Sequence, residues 1–173
     1  MSLSKKEEEY INSLLSTNQQ IVDQTLEEIR ESGSSKLLPY IIDLLHVSDN
    51  EEIKVKANKI LTELKQTDSV PIIMEAIHNE KYLQEQELLV RSCWENGLDF
   101  TPHLPDFIDL VVHGNYMTAF EAFTVIENLE SNISVEETEK MISILQKGLS
   151  FASKEKQVLI RELIQLLPGL KME

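Results

Sequence analysis

The sequence predicts an all-α protein, a right-handed superhelical stack of about five antiparallel helix pairs, and three observations predict it. An eight-residue phrase returns three times, as Leu38-Pro39-Tyr40-Ile41-Ile42-Asp43-Leu44-Leu45, as Val70-Pro71-Ile72-Ile73-Met74-Glu75-Ala76-Ile77 and as Leu104-Pro105-Asp106-Phe107-Ile108-Asp109-Leu110-Val111. Its period of about 33 residues is that of a two-helix unit too small to bury its own apolar face, so that neighbours supply one another's core. Between the phrases, Ile53, Ala57, Ile60, Leu61 and Leu64 recur at spacings of three and four, which places them on one face of a helix. Composition agrees: with 42% hydrophobic and 27% charged residues and only five Gly and five Pro, the chain has no low-complexity linker.

The elements follow in order. The periodicity predicts first helices over 4–16, 35–47, 69–79, 102–113 and 134–148, and second helices over 18–32, 50–66, 81–98, 116–131 and 153–167. Pro39, Pro71 and Pro105 fall in the opening turn of a first helix, where a missing N–H costs no intrahelical bond. Ser34-Ser35, Asp68-Ser69 and Thr101 precede them as N-cap candidates. Gly33, Asp49-Asn50, Gly97, Gly114-Asn115 and Ser131-Asn132 supply the caps and left-handed positions of the turns. The whole chain, 1–173, reads as a single domain with approximate repeats 4–32, 35–66, 69–98, 102–131 and 134–167. The first and fifth pairs depart from the pattern, as terminal repeats with one wet face do.

Shifted by one period, the second helices align in columns. Ala57, Val90 and Phe123 form one apolar ladder, and Ile60, Cys93, Ile126 and Leu159 form another. The rows Val55, Leu88, Glu121; Asn58, Arg91, Thr124; Lys59, Ser92, Val125; and Thr62, Glu95, Asn128 make up the face expected to meet solvent.

In period and apolar pattern the chain resembles HEAT-repeat proteins, a HEAT-like α-solenoid of the short bacterial kind. Leu38-Pro39, the turn Ser48-Asp49-Asn50-Glu51-Glu52, and Ile53-Lys54 opening a second helix that runs on to Ala57 carry the likeness. The later repeats replace the turn with His78-Asn79-Glu80 and Gly114-Asn115-Tyr116, so the polar signature is degenerate. The tetratricopeptide pattern, of similar period, needs small and aromatic positions that these helices do not present. The HEAT resemblance implies that the second helices line a concave binding side.

Charge narrows the function classes. The net charge is −14, and from Ser92 to Glu139 there is no Lys or Arg. Glu95, Asp99, Asp106, Asp109, Glu121, Glu127, Glu130, Glu136, Glu137 and Glu139 all fall inside that stretch. A field of this sign repels phosphate, so nucleic acid is not an expected partner. The same carboxylates fit either a solvated face that keeps the protein dispersed or a groove for a basic peptide or cationic patch. Seven of the ten aromatic residues gather nearby, at Tyr82, Trp94, Phe100, Phe107, Tyr116, Phe120 and Phe123, and read as a wide core with Trp94 and Tyr116 as exceptions.

Patterns for catalysis fail by inspection: the sequence has no glycine-rich phosphate loop, no Gly-x-Ser-x-Gly and no His-Glu-x-x-His. His46, His78 and His113 end successive first helices, where a cationic ring meets the negative helix terminus and cannot converge with the others on one metal ion. Cys93, the single cysteine, sits in an apolar column and reads as an inert buried thiol. Alkylpurine DNA glycosylases share HEAT-like repeats, and Trp94, Glu95 and Asp99 could be set in that role, but Arg91 stands nearly alone as a cation there. No cofactor is expected. With no apolar leader and no stretch near about 18 apolar residues, the expectation is a cytoplasmic protein that spans no membrane.

The expected function is a non-enzymatic scaffold or adaptor that binds a protein or peptide with a basic patch, or an inhibitor that masks one. Its expected contact residues are Arg91, Trp94, Glu95, Tyr116, Glu121, Thr124 and Asn128, because buried aromatics and arginines dominate interface energies.

Overall fold

The computed structural model describes residues 3–129 and 133–170. The expected turn at Ser131-Asn132 and the carboxylate of Glu130 lie outside the described residues. Among the described residues the fold is all-α, with ten α-helices packed in neighbouring pairs, and no helix is long and apolar enough to cross a membrane. The chain divides into two compact units, Met1–Leu98 and Asp99–Glu173, and the division falls between the third and fourth expected repeats.

The first unit holds α1 (Lys5–Leu14), α2 (Gln19–Ser32), α3 (Leu38–Val47), α4 (Glu51–Thr62), α5 (Val70–His78) and α6 (Gln86–Glu95). Helix α1 packs on α2, α3 on α4 and α5 on α6. Across the pairs, α1, α3 and α5 adjoin in one layer and α2, α4 and α6 in the other. Leu26, Leu38, Ile41, Ile42, Leu45, Ala57, Leu61, Ile73, Ile77, Leu89 and Val90 are fully covered where the layers meet. Polar ties recur at the repeat spacing: Arg30 donates to Glu63, 33 positions on, through Nε at 2.5 Å and Nη2 at 3.0 Å. Lys56 reaches back from α4 to Asp23 at 2.5 Å and Glu27 at 3.0 Å on α2.

Pro39 and Pro71 each stand second in their helix, as the opening-turn argument requires. The expected side-chain caps differ. Each of these helices is entered through one 3-10 turn, 35–37 or 67–69, and neither N-cap position makes a side-chain bond. The turn takes over the work of the cap, because its carbonyls accept the first helical N–H groups, that of Ser35 from Leu38 and that of Thr67 from Val70. Ser34 caps the first of these turns instead, its hydroxyl accepting from the Lys36 N–H at 3.2 Å. Left-handed backbone is likewise rarer than expected: among the described residues only Gly97 has positive φ, at 69°. Gly33 and Gly114 are extended, and glycine is needed there for space, since a Cβ would stand 2.2 Å from the Ile29 oxygen and 2.6 Å from the Leu110 oxygen.

The second unit holds α7 (Leu104–His113), α8 (Tyr116–Glu127), α9 (Val135–Gly148) and α10 (Lys154–Leu166). Pro105 stands second in α7, behind a 3-10 turn over 101–103. Helices α7 and α10 each touch the other three helices of the unit, α8 and α9 both lying against this pair. Phe100 and Phe107 meet edge to face with ring centres 6.0 Å apart, and Ile108, Val111, Ala119, Ala122, Ile126, Leu145, Ile160 and Leu163 complete the core. Gly148 lets α9 approach α7, for a Cβ there would lie 3.0 Å from both methyls of Val112. A capping box between Ser134 and Glu137 opens α9.

Candidate functional site: the exposed ridge of α8

Helix α8 begins where Asn115 turns its side-chain oxygen onto the Thr118 N–H at 2.9 Å. Its sequence, Tyr116-Met117-Thr118-Ala119-Phe120-Glu121-Ala122-Phe123-Thr124-Val125-Ile126-Glu127, carries no cation and is apolar nearly all round. A helix of that kind is covered on more than one side, and α7 and α10 do cover it. What remains open is a narrow ridge. Tyr116 is 43% exposed, Met117 42% and Phe120 42%; Thr124 is half-buried, and Glu127 and Asn128 are exposed. Spacings of four from Tyr116 through Phe120 and Thr124 to Asn128 keep the ridge on one line.

Three of the expected contact residues, Tyr116, Thr124 and Asn128, therefore share this ridge. Glu121 does not. It is 3% exposed, which corrects its place on the solvent face. Ser92, on α6, and Val125 are covered as well, so the row Lys59, Ser92, Val125 meets solvent only at Lys59. The reason is physical. Helix α8 presents its Glu121 side to the packing with α7 and α10, whereas Val55, at the equivalent place on α4, stays 64% exposed although α4 adjoins α2, α3 and α6.

Two ridge residues turn their polar groups inward. The Thr124 hydroxyl donates to the Phe120 carbonyl at 3.0 Å, and the Asn128 amide donates to the Thr124 carbonyl at 2.8 Å. Both bonds add a second donor to a carbonyl of the same helix, the Thr124 carbonyl also accepting from the Asn128 backbone N–H at 3.2 Å. The remaining expected residues lie on α6 in the first unit: Arg91 donates to Glu87 at 2.8 Å, Trp94 is half-buried and Glu95 is exposed.

Met117 and Phe120 are functional candidates that sequence reasoning missed. Phe120 was expected in the core with the other clustered aromatics; Tyr82, Phe100, Phe107 and Phe123 are buried, but Phe120 is not. The usable signal was its spacing of four from Tyr116, already marked as an exception.

Chemically the ridge offers apolar contact and acceptors, with no activated nucleophile. Cys93 is buried on α6, its thiol donating to the Leu89 carbonyl at 3.4 Å, and burial pushes its pKa up, away from the reactive thiolate. The histidines at the ends of α3 and α7 engage side chains. His46 Nδ1 lies 3.0 Å from a Glu85 oxygen, and His113 stacks on Phe151 with ring centres 5.8 Å apart. The chain matches no family model, no curated protein and no solved structure.

Proposed function

We propose that the chain is a HEAT-like helical-repeat scaffold or adaptor without catalytic activity, whose second helices bind a protein or peptide bearing a basic patch. The observation that carries this reading is the α8 ridge: two aromatics and a methionine held open to solvent, within a stretch from Ser92 to Glu139 that has no Lys or Arg. Exposed aromatic side chains on a rigid helix are the residue type that dominates interface energy, and an acidic stretch around them favours the approach of cationic partners. On α8, in the second unit, the proposed contacts are Tyr116, Thr124 and Asn128, with Met117 and Phe120 added and Glu121 removed; on α6, in the first unit and taken by itself, they are Arg91, Trp94 and Glu95. A cytoplasmic setting suits a protein whose single thiol is buried and unpaired.

The test is capture of a partner by the full chain at low and at physiological salt, beside the variant Glu95→Lys with Glu127→Lys. Binding that weakens with salt and disappears in the variant supports the reading. Capture that ignores both salt and charge reversal overturns it.

A further inference from the structure

We infer that the α8 ridge seats one amphipathic helix of the partner, with apolar residues along the side that meets Tyr116, Met117 and Phe120 and with Lys or Arg at its margins. This rests on the protein-binding reading above and names the shape and chemistry of what is bound.

Three features of the ridge select a helix. Tyr116, Phe120, Thr124 and Asn128 make a narrow row at a spacing of four, about 18 Å at 1.5 Å per residue, apolar in its first turn, where Met117 stands beside it, and polar beyond. A partner helix presents anchors at i, i+3, i+4 and i+7 along a stripe of that width, so the two rows can interlock over about three turns. The backbone of α8 is committed to its own helix, which the Asn128 N–H closes onto the Thr124 carbonyl at 3.2 Å and the Val125 carbonyl at 3.1 Å. An extended peptide would find no sheet edge there to pair with, whereas a helix brings its own hydrogen bonds already made. Met117, unbranched and polarizable, lets the ridge adapt to differing apolar partners.

Charge selects the margins. Helices α7 and α8 carry Asp106, Asp109, Glu121 and Glu127 and no Lys or Arg; Asp109 and Glu127 are exposed. Helix α10 on the other flank exposes both signs, through Lys154, Glu155, Arg161 and Glu162. The exposed carboxylates of α7 and α8, Asp109 paired with His113 at 3.6 Å and Glu127 at the end of the ridge, thus favour a cationic partner and disfavour phosphate or an anionic lipid surface. A second copy of this chain would set Asp109 and Glu127 against like charges, which disfavours self-pairing on this face.

The test uses labelled synthetic peptides and the full chain, read by fluorescence anisotropy. One peptide of about five turns carries Leu on one helical face and Lys elsewhere. A second has the same composition in an order that spreads Leu all round, and a third replaces Lys with Glu. The expected result is saturable binding of the first alone, weakened at least about tenfold by Tyr116→Ser with Phe120→Ser and unchanged by Val47→Ser, an apolar position 65% exposed on α3, a first helix. Circular dichroism melts check that each variant is folded. Equal binding of the two Lys peptides would overturn the helix inference while leaving a basic-partner reading standing. Binding that survives the Tyr116 and Phe120 changes in folded protein would place the seat elsewhere and overturn it too. No binding of either Lys peptide, equal binding of the Glu peptide, or self-association lost in the double variant would count against both.

Discussion

The amine of Lys156, on α10, donates to the carbonyl of Val112 at 2.7 Å and to that of Gly114 at the same distance, closing the C-terminal end of α7. These are carbonyls that a helix end leaves without intrahelical partners, and a cation is the group the negative end of a helix favours. Lys156 is itself buried, and desolvation pushes its pKa down. Lys156→Met keeps the apolar stem and removes the donors. It should cost about 1–3 kcal/mol, read by urea unfolding, because it strands buried acceptors. The sign of the pH effect is the opposite of a stabilising ion pair. The unfolded chain holds this proton more tightly than the folded one, so wild-type stability should rise as pH climbs from the lowered folded value toward 10.5, relative to the Met variant.

Glu7 gives the acid counterpart. Its carboxylate accepts from the Ser4 backbone N–H at 2.6 Å, the largest cause of a pKa lowered to about 2, with the Ser34 hydroxyl and Lys36 adding to it. A depressed carboxyl contributes stability that is present above its ordinary 4.5 and is lost as pH falls toward about 2. Wild type should therefore melt above Glu7→Gln at neutral pH, with the gap closing across that window. A gap that is constant with pH would show that the capping box is held by geometry and not by charge.

Glu121 and Glu127 lie on one helix with opposite fates. Glu121→Lys puts an ammonium in a covered site, which should cost about 3–5 kcal/mol or prevent folding. Glu127→Lys and Glu95→Lys change exposed positions and should stay within about 1 kcal/mol of wild type. Chemical unfolding of the three variants side by side decides it, and a neutral Glu121→Lys would return that residue to the candidate contact face.

Gly114 and Gly97 should fail in different ways on substitution by alanine. At Gly114 the new methyl meets the Leu110 carbonyl and Thr118 from a fixed backbone, so Gly114→Ala should cost about 1–3 kcal/mol through overpacking. At Gly97 there is open space but positive φ, so the cost should be about 1 kcal/mol from backbone strain alone. Thermal melts with the two ranked the other way would refute the distinction.

The prolines show how far the chain could be read directly. A phrase with Pro in second place marks a helix start by local chemistry, and α3, α5 and α7 begin at Leu38, Val70 and Leu104, one to three residues after the expected starts at 35, 69 and 102, which fall in the 3-10 turns. Apolar spacing likewise placed Ala57, Val90, Phe123, Ile60, Cys93 and Ile126 in the core, since an apolar column at helical spacing turns inward whichever neighbour covers it.

The candidate site was legible only in part. Tyr116 could be singled out because it sits at a turn, yet Phe120 was assigned to the core on the company it keeps in sequence. Composition decided the helical class and the sign of the surface, because both depend on residues one at a time or at fixed short spacing. Which side of α8 stays open, why Glu121 is covered while Glu127 is not, and that Lys156 closes α7 were decided by tertiary packing. Each depends on how many helices press on a given face, and that number is a property of residues 30 to 44 positions apart meeting in space, as Lys156 and Val112 do.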